Sequence, residues 1–351
     1  MLKSFSMEEK IVLTKLNEEE LIDFLSKYDD KKFRINQIIN WIYNKSASSF
    51  DEMTDVKKEL REKLKNEALI TDVKIKTKQV SKDGTIKYLL EYSDGNAAEC
   101  VLMRFDNRGN LTACVSSQIG CPMGCIFCAT GQRGFIRNML PYEIAEQILT
   151  IQRDTKLKVT NVVFMGQGEP LNNYENVYRA IEIINSKLQI GIRRITVSTC
   201  GIAPKIKELA QMQLIPTLAI SLHAPNSLLR KKIMPVEKKY NLDTLKEALK
   251  FYIEKTGKRI TLEYVLIGGL NDTKEIALEL INYMKDLKCN VNLIPYNPVL
   301  SDCDIKLNKP NKKDIMLFKY LLESSGKKVT VRLERGADID AACGQLSGRA
   351  K

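Results

Sequence analysis

The chain has 351 residues, room for one large domain or a large domain with a small one attached. Hydrophobic residues make up 44% and charged residues 28%, a globular balance, and no apolar run approaches the roughly 18 residues that cross a bilayer, which argues against a membrane partner. Lys and Arg outnumber Asp and Glu by 55 to 43, and this net charge of +12 favours a polyanion such as nucleic acid.

The first 70 residues read as polar helices over 18–28, 34–45 and 56–66, with Ser49 and Asp51 as candidate caps. The basic run Lys31-Lys32-Phe33-Arg34 leads into the helix that carries Trp41, and a small basic helical module of this kind suits RNA binding or, equally, a docking subdomain. From Val73 the period changes to two. Asp83-Gly84 and Asp94-Gly95 separate alternating apolar segments, which predicts an antiparallel meander over 73–80, 86–92 and 98–105. Beyond Asn110, strand patterns at 111–117, 161–165, 194–198, 217–222, 260–267 and 290–294 alternate with amphipathic helical stretches at 141–152, 174–187, 204–213, 242–255 and 274–287. A last helix over 312–324 precedes a strand over 329–333. The fold class is therefore α/β: a partial (β/α)6 barrel at 107–335, preceded by the helical module (1–70) and the β meander (71–106) and followed by a tail (336–351). In such barrels the chemistry belongs at the C-terminal ends of the strands.

The motifs fall at those ends. Cys121, Cys125 and Cys128 follow the first barrel strand at C-x3-C-x2-C spacing. Electron-transfer clusters ordinarily take four cysteine ligands. Three leave one iron of a [4Fe–4S] cluster open, and the usual occupant of that iron is S-adenosylmethionine (SAM), whose carbon–sulfur bond one electron from the cluster breaks. The competing reading is a zinc knuckle, with His223, Cys114 or Cys343 as fourth ligand. After the second strand, Met165-Gly166-Gln167-Gly168-Glu169-Pro170 offers close backbone approach at glycine and a carboxylate for the SAM ammonium. Ser198, Ser221, His223 and Asn297 follow later strands; alone each reads equally as a turn or cap, together as a polar ring. His223, the single histidine, suits a hydrogen-bonding role as well as a catalytic one.

Nine cysteines without a disulfide framework fit a reducing cytoplasm, and the N-terminus lacks a signal-peptide core. Cys100, Cys200, Cys289 and Cys303 read as small buried hydrophobes. Cys114 lies on the first barrel strand. Cys343 sits among alanines and glycine, where a bulky ligand has room to reach its sulfur.

The run 114–131, with Gly168-Glu169-Pro170, Ser221-Leu222-His223-Ala224-Pro225 and Asp338-Ile339-Asp340-Ala341-Ala342-Cys343-Gly344-Gln345-Leu346, resembles the RlmN/Cfr family of radical-SAM RNA adenine methyltransferases. The likeness extends to Phe33-Arg34-Ile35-Asn36-Gln37 near the start and covers nearly the whole chain. It implies methylation of an adenosine in the peptidyl-transferase region of 23S rRNA, and of adenosine 37 in some tRNAs. It implies that Cys121, Cys125 and Cys128 hold the [4Fe–4S] cluster, and that Gly168, Glu169, Ser198, Ser221, Leu222, His223 and Asn297 bind SAM. Cys343 becomes the methyl carrier, Cys114 its resolving partner through a transient disulfide, and Glu99 the proton acceptor. Two SAM molecules are used per turnover; an electron donor such as a flavodoxin, a monomeric state and a cytoplasmic location are expected. C8-methylating members carry Gly-Glu-Ala and an arginine before the tyrosine of the Asn-Pro segment. Pro170 and Pro295 stand at those positions here, which favours C2 over the C8 alternative. Gln167 departs from the apolar residue usual there, a difference expected to bear on SAM packing.

Overall fold

The computed structural model of the chain describes residues 10–28, 31–105, 109–299, 305 and 307–347; Cys303 lies outside the described residues. Near the N-terminus, β1 (Ile11–Val12) pairs in parallel with β2 (Ala68–Leu69) and closes a helical module. Asn17 opens its first helix, α1 (Glu18–Ser26), accepting from the Glu20 amide while the Glu20 carboxylate accepts from the Asn17 amide. α2 (Lys32–Tyr43) and α3 (Lys58–Glu67) turn Ile38, Ile42, Leu60 and Leu64 inward. Ser49 caps a 3₁₀ turn at Phe50–Glu52 between them, as expected of a cap residue.

The meander follows as β3 (Lys74–Val80), β4 (Ile86–Glu91) and β5 (Ala97–Phe105), antiparallel throughout. Its tight turns need left-handed backbone at Gly84 (φ +79°) and Gly95 (φ +77°), which glycine adopts without a Cβ clash. β5 pairs with β6 (Asn110–Cys114), so the meander joins the barrel sheet rather than standing apart from it.

β6 is shorter than the predicted strand. The Ser116 amide donates to the Gln147 side chain and its hydroxyl to the Glu99 carbonyl, which takes the backbone out of regular pairing. A hairpin of β7 (Gln118–Gly120) and β8 (Phe135–Asn138), with α4 (Ala129–Gln132) between its strands, brackets the cysteine loop. The barrel then proceeds through α5 (Pro141–Thr155), β9 (Asn161–Phe164), α6 (Tyr174–Ser186), β10 (Ile195–Thr199), α7 (Ala203–Leu209) and β11 (Thr217–Ser221). It continues through α8 (Ser227–Ile233), α9 (Leu242–Thr256), β12 (Ile260–Leu266), α10 (Lys274–Met284), β13 (Cys289–Pro295), α11 (Lys312–Ser324) and β14 (Val329–Val331).

From β6 through β9 to β14 the strands run parallel, and their spatial order equals their chain order, so each helical crossover moves one strand along the sheet. Six strand–helix units with β14 as a closing strand make the expected partial (β/α)6 barrel. Its strands bury Val162, Val197, Ile220, Leu262 and Val291, and outer helices such as α5 turn Ile144, Ile148 and Leu149 onto them. The N-terminal module docks on α5: Gln152 donates to Ser46 at 2.8 Å and Arg153 to the Ala47 carbonyl at 3.3 Å.

Candidate active site

Parallel strands deliver their following loops to one end of the sheet, and the predicted residues gather there. Cys121, Cys125, Cys128, Gly168, Glu169, Ser198, Ser221, His223 and Asn297 all line one cavity. The cysteine loop is pinned from two sides. The Cys121 amide donates to the Gly134 carbonyl at 2.8 Å, and the Ile126 amide donates to the Ile233 carbonyl at 3.2 Å. Gly120 has to be glycine, because a Cβ there would lie 2.1 Å from that same Gly134 carbonyl oxygen.

Glu169 holds two loops together. One carboxylate oxygen accepts from the Leu171 amide at 3.0 Å and the other from the Cys200 amide at 2.7 Å. Burial nonetheless pushes its carboxyl above the usual range, the state of a group that gains from a cationic partner. Gly168 (φ +97°) lies so close to Gln118 that a Cβ would meet its side chain at 2.5 Å. Ser198 and Ser221 face each other at 3.3 Å between hydroxyls. The His223 Nδ1 accepts from the Val265 amide at 3.0 Å, so the neutral ring carries its proton on Nε2. Burial, with Arg230 nearby, pushes the pKa of His223 down to about 3, which removes it from acid–base work near neutrality.

Leu222 lies outside this cavity: its side chain is in the core, and its carbonyl accepts from the Ala224 amide and from Arg230 Nε. Gln167 does not line the cavity either. Its side chain accepts from the Glu99 amide at 3.1 Å and so braces β5 against the glycine loop.

A second, larger cavity of about 590 Å³ adjoins the first. Cys114 and Cys343 line it together, and Cys343, Asn297, Cys128 and Arg332 line both cavities. The tail reaches this junction because Gly344 packs against the cysteine loop, where a Cβ would approach the Phe127 carbonyl oxygen at 3.1 Å. The Ala129 amide donates to the Gly344 carbonyl at 2.8 Å and the Thr130 hydroxyl to the Leu346 carbonyl at 2.6 Å. Cys114 and Cys343 are free thiols. Burial pushes Cys114 up to about 12, the Cys343 thiol adds to the rise and the Arg332 guanidinium opposes it. Glu99 lines neither cavity. It is buried in an ion pair with Lys87 at 3.3 Å, on the face of β5 that presents Val101 and Met103 to the larger cavity.

The residues fit a cluster with SAM. The Cys121, Cys125 and Cys128 thiols are free, and burial raises all three beyond what nearby hydrogen bonds and Arg230 offset, so a bound positive centre would favour their thiolates. Among the described residues no group of three His, Cys, Asp or Glu side chains is placed to hold a single metal ion; in a cluster each thiolate sits on its own iron. Two buried acceptors without a partner, Asn297 Oδ1 and Glu263 Oε2, belong to residues lining the cofactor cavity, where the ammonium, hydroxyl and amino donors of SAM would satisfy them. Glu263 and Arg332 went unnoticed in the sequence because a lone charge inside a strand pattern carries no motif. The one signal was a charged residue at an inward position of an otherwise apolar strand.

Comparison with known proteins agrees with this geometry. The radical SAM superfamily profile matches residues 115–281, and that of the ribosomal RNA large subunit methyltransferase N-terminal domain matches residues 11–70. A probable dual-specificity RNA methyltransferase RlmN from Alkaliphilus oremlandii is 48% identical over 341 residues, covering 96% of this chain and 98% of its own. The corresponding protein from Lachnospira eligens is 47% identical over 337 residues, covering 95% of each chain. The crystal structure of a radical SAM methyltransferase from Sphaerobacter thermophilus superposes with a TM-score of 0.89 at 39% identity, covering 97% of this chain and all of that one. With likeness of this extent over both the helical module and the barrel, the chain belongs to the RlmN family of radical-SAM RNA methyltransferases.

Proposed function

We propose that the protein methylates C2 of an adenosine in the peptidyl-transferase region of 23S rRNA, and of adenosine 37 in some tRNAs, through a methyl group carried on Cys343. The observation that supports this reading most is the position of Cys343 on the wall shared by the cavity with the three cluster cysteines and the cavity with Cys114. Adenine C2 is electron-poor and has no lone pair, so it cannot displace a methyl group from SAM; a thiolate can. When bound, the cluster and SAM supply a transferable methyl group and, on one-electron reduction, a radical that abstracts hydrogen.

Cys343 Sγ takes the methyl in the first stage and presents it to adenine in the second. Arg332 favours the thiolate form of Cys114; its own charge is held chiefly by Cys343, against the cost of burial, and then by Glu263 and Cys114. Cys114 Sγ then attacks Cys343 Sγ; a sulfur–sulfur bond forms as the bond from Cys343 Sγ to the RNA-bound methylene breaks. The methylene takes a proton to become the methyl group, the odd electron left by the radical stage is given up, and cellular thiols reduce the disulfide. Glu99 accepts the C2 proton in this reading, and its pair with Lys87 has to open for it to do so. The N-terminal helical module contributes RNA contacts, and the chain works as a cytoplasmic monomer served by an electron donor such as a flavodoxin. No helix among the described residues is long and apolar enough to cross a membrane.

The test is an anaerobic reaction of reconstituted protein with SAM, reductant and a 23S rRNA fragment, read by nucleoside mass spectrometry. The expected product is 2-methyladenosine, lost in Cys343→Ala. 8-Methyladenosine would contradict the C2 assignment, for which Pro170 and Pro295 are the supporting residues.

A further inference from the structure

The reaction proposed above consumes an electron, which must reach the cluster from outside while RNA occupies the larger cavity. A groove of about 420 Å³ lies on the outer side of the cysteine loop, lined among others by Pro122, Met123, Lys205, Pro235, Lys239 and Tyr240. It shares no residue with the larger cavity. With the cofactor cavity it shares one, Met123, which stands between Cys121 and Cys125. Met123 of the ligand loop therefore touches both this surface and the cavity of the three cysteines.

Two lysines, Lys205 and Lys239, line the groove, and the segment that carries Lys239 is basic. The Ile126 amide ties the cysteine loop to the last residue of α8, and Pro235 lies beside Gly124. α8 and the turn after it expose Lys231, Lys232, Lys238 and Lys239, and none of the four has a carboxylate partner among the described residues. Glu237, the acid within this stretch, is turned inward onto Arg230 at 2.7 Å. Lys205 is paired with Glu208 at 2.6 Å and lies over the Tyr174 ring. Apolar Pro122, Met123 and Val236 beside Lys239, next to the exposed lysines of α8 and the turn after it, have the anatomy of a protein-docking patch for an acidic partner.

We propose that this groove docks an acidic one-electron carrier protein, which reduces the cluster across the Met123 loop. The inference rests on the radical-SAM reading given above. One electron leaves the carrier and one is gained by the cluster; no atom moves. RNA is the poorer occupant, because adenine has to reach Cys343 through the larger cavity, on a wall this groove does not share.

The test uses the cluster-loaded enzyme under anaerobic conditions, with photoreduced flavodoxin as the acidic carrier and dithionite as a small reductant that needs no docking. Cluster bleaching is followed directly, and flavodoxin affinity is read from flavin fluorescence. At low salt, Lys238→Glu with Lys239→Glu should slow reduction by flavodoxin by at least about tenfold and weaken its binding, whereas the paired Lys→Arg changes keep both. Iron content and reduction by dithionite should not change. Equal flavodoxin rates in wild type and the charge-reversed protein would overturn the proposal. So would loss of RNA affinity with flavodoxin reduction unchanged, which would assign the patch to RNA. Because bleaching is read apart from product, a wild-type enzyme that reduces normally but methylates no RNA would overturn the functional reading and leave the docking result standing.

Discussion

The different roles proposed for Cys343 and Cys114 match their different surroundings. Cys343 is half-buried at a junction open to both cavities, whereas Cys114 is buried at the end of β6 and its thiol is pushed up to about 12. A thiol so reluctant to ionise is a poor first nucleophile, and it becomes competent when Arg332 and a sulfur electrophile are both in reach. Replacing Cys114 with Ala should leave methylation of Cys343 intact and trap a covalent protein–RNA adduct, visible as a shifted band on a denaturing gel. Free, fully methylated RNA from this variant would contradict the two-cysteine scheme. His223 gives a second residue-scale prediction. Its pKa falls from 6.5 to about 3 on folding, so between those values the unfolded chain binds a proton that the native chain refuses. Stability is therefore present above about pH 6.5 and declines as pH falls toward 3. Between about pH 7.5 and 5.5 the wild type should lose about 1.4 kcal/mol more than His223→Gln by urea denaturation, at equal cluster content. Equal losses would place the proton elsewhere.

At the scale of elements, the β3–β4 turn has a task beyond joining strands. Asp83 accepts from the Gly336 amide at 3.0 Å; Asp338 accepts from the Ser81 hydroxyl at 2.5 Å and from the Lys82 amide at 3.2 Å. Lys87 on β4 donates to the Asp340 carbonyl at 3.3 Å. The meander thus clamps the tail several residues before Cys343 and sets where its sulfur stands. Burial opposes ionisation of Asp83, but hydrogen bonds from Thr85, Gly336 and Ser81 outweigh it and hold the carboxyl at about 2, so the clamp persists across physiological pH. Asp83→Ala should loosen the tail, cutting S-methylation of Cys343 by roughly tenfold, the scale of about 1.4 kcal/mol of lost positioning. SAM cleavage at the cluster should stay near wild type. Peptide mass spectrometry of the Cys343 peptide and the yield of 5′-deoxyadenosine separate the two effects. A parallel fall in both would mean that the turn supports the whole site.

Over the whole molecule, two features work together: a net charge of +12 and an active site divided between two cavities. The charge draws RNA through phosphate contacts, so affinity for a 23S rRNA fragment or a tRNA should fall by at least about tenfold between roughly 50 and 200 mM salt, measured by fluorescence anisotropy. A flat salt response would indicate recognition without the phosphate backbone. In the proposed reaction, the divided site would let the cofactor and the RNA approach the Cys343 sulfur from two sides.

Much of this was legible in the chain. The period-two and period-3.6 patterns report which face each element buries, so the strand–helix alternation, the Asp-Gly turns and the barrel emerge from local chemistry. The cysteine spacing and the strand-end residues Glu169, Ser198, Ser221 and Asn297 were readable for the same reason, because a parallel sheet brings every strand end to one side. What stayed hidden depends on contacts between distant segments. Pattern does not tell that Asp83 meets Gly336, that the meander continues the barrel sheet, or that Leu222 and Glu99 stand off the cavities while Glu263 and Arg332 line them. The amino-acid sequence determined the chemistry by placing reactive residue types at strand ends. Tertiary structure alone decided which of them share a wall, because burial and pairing across the fold are properties of neighbours far apart in the chain.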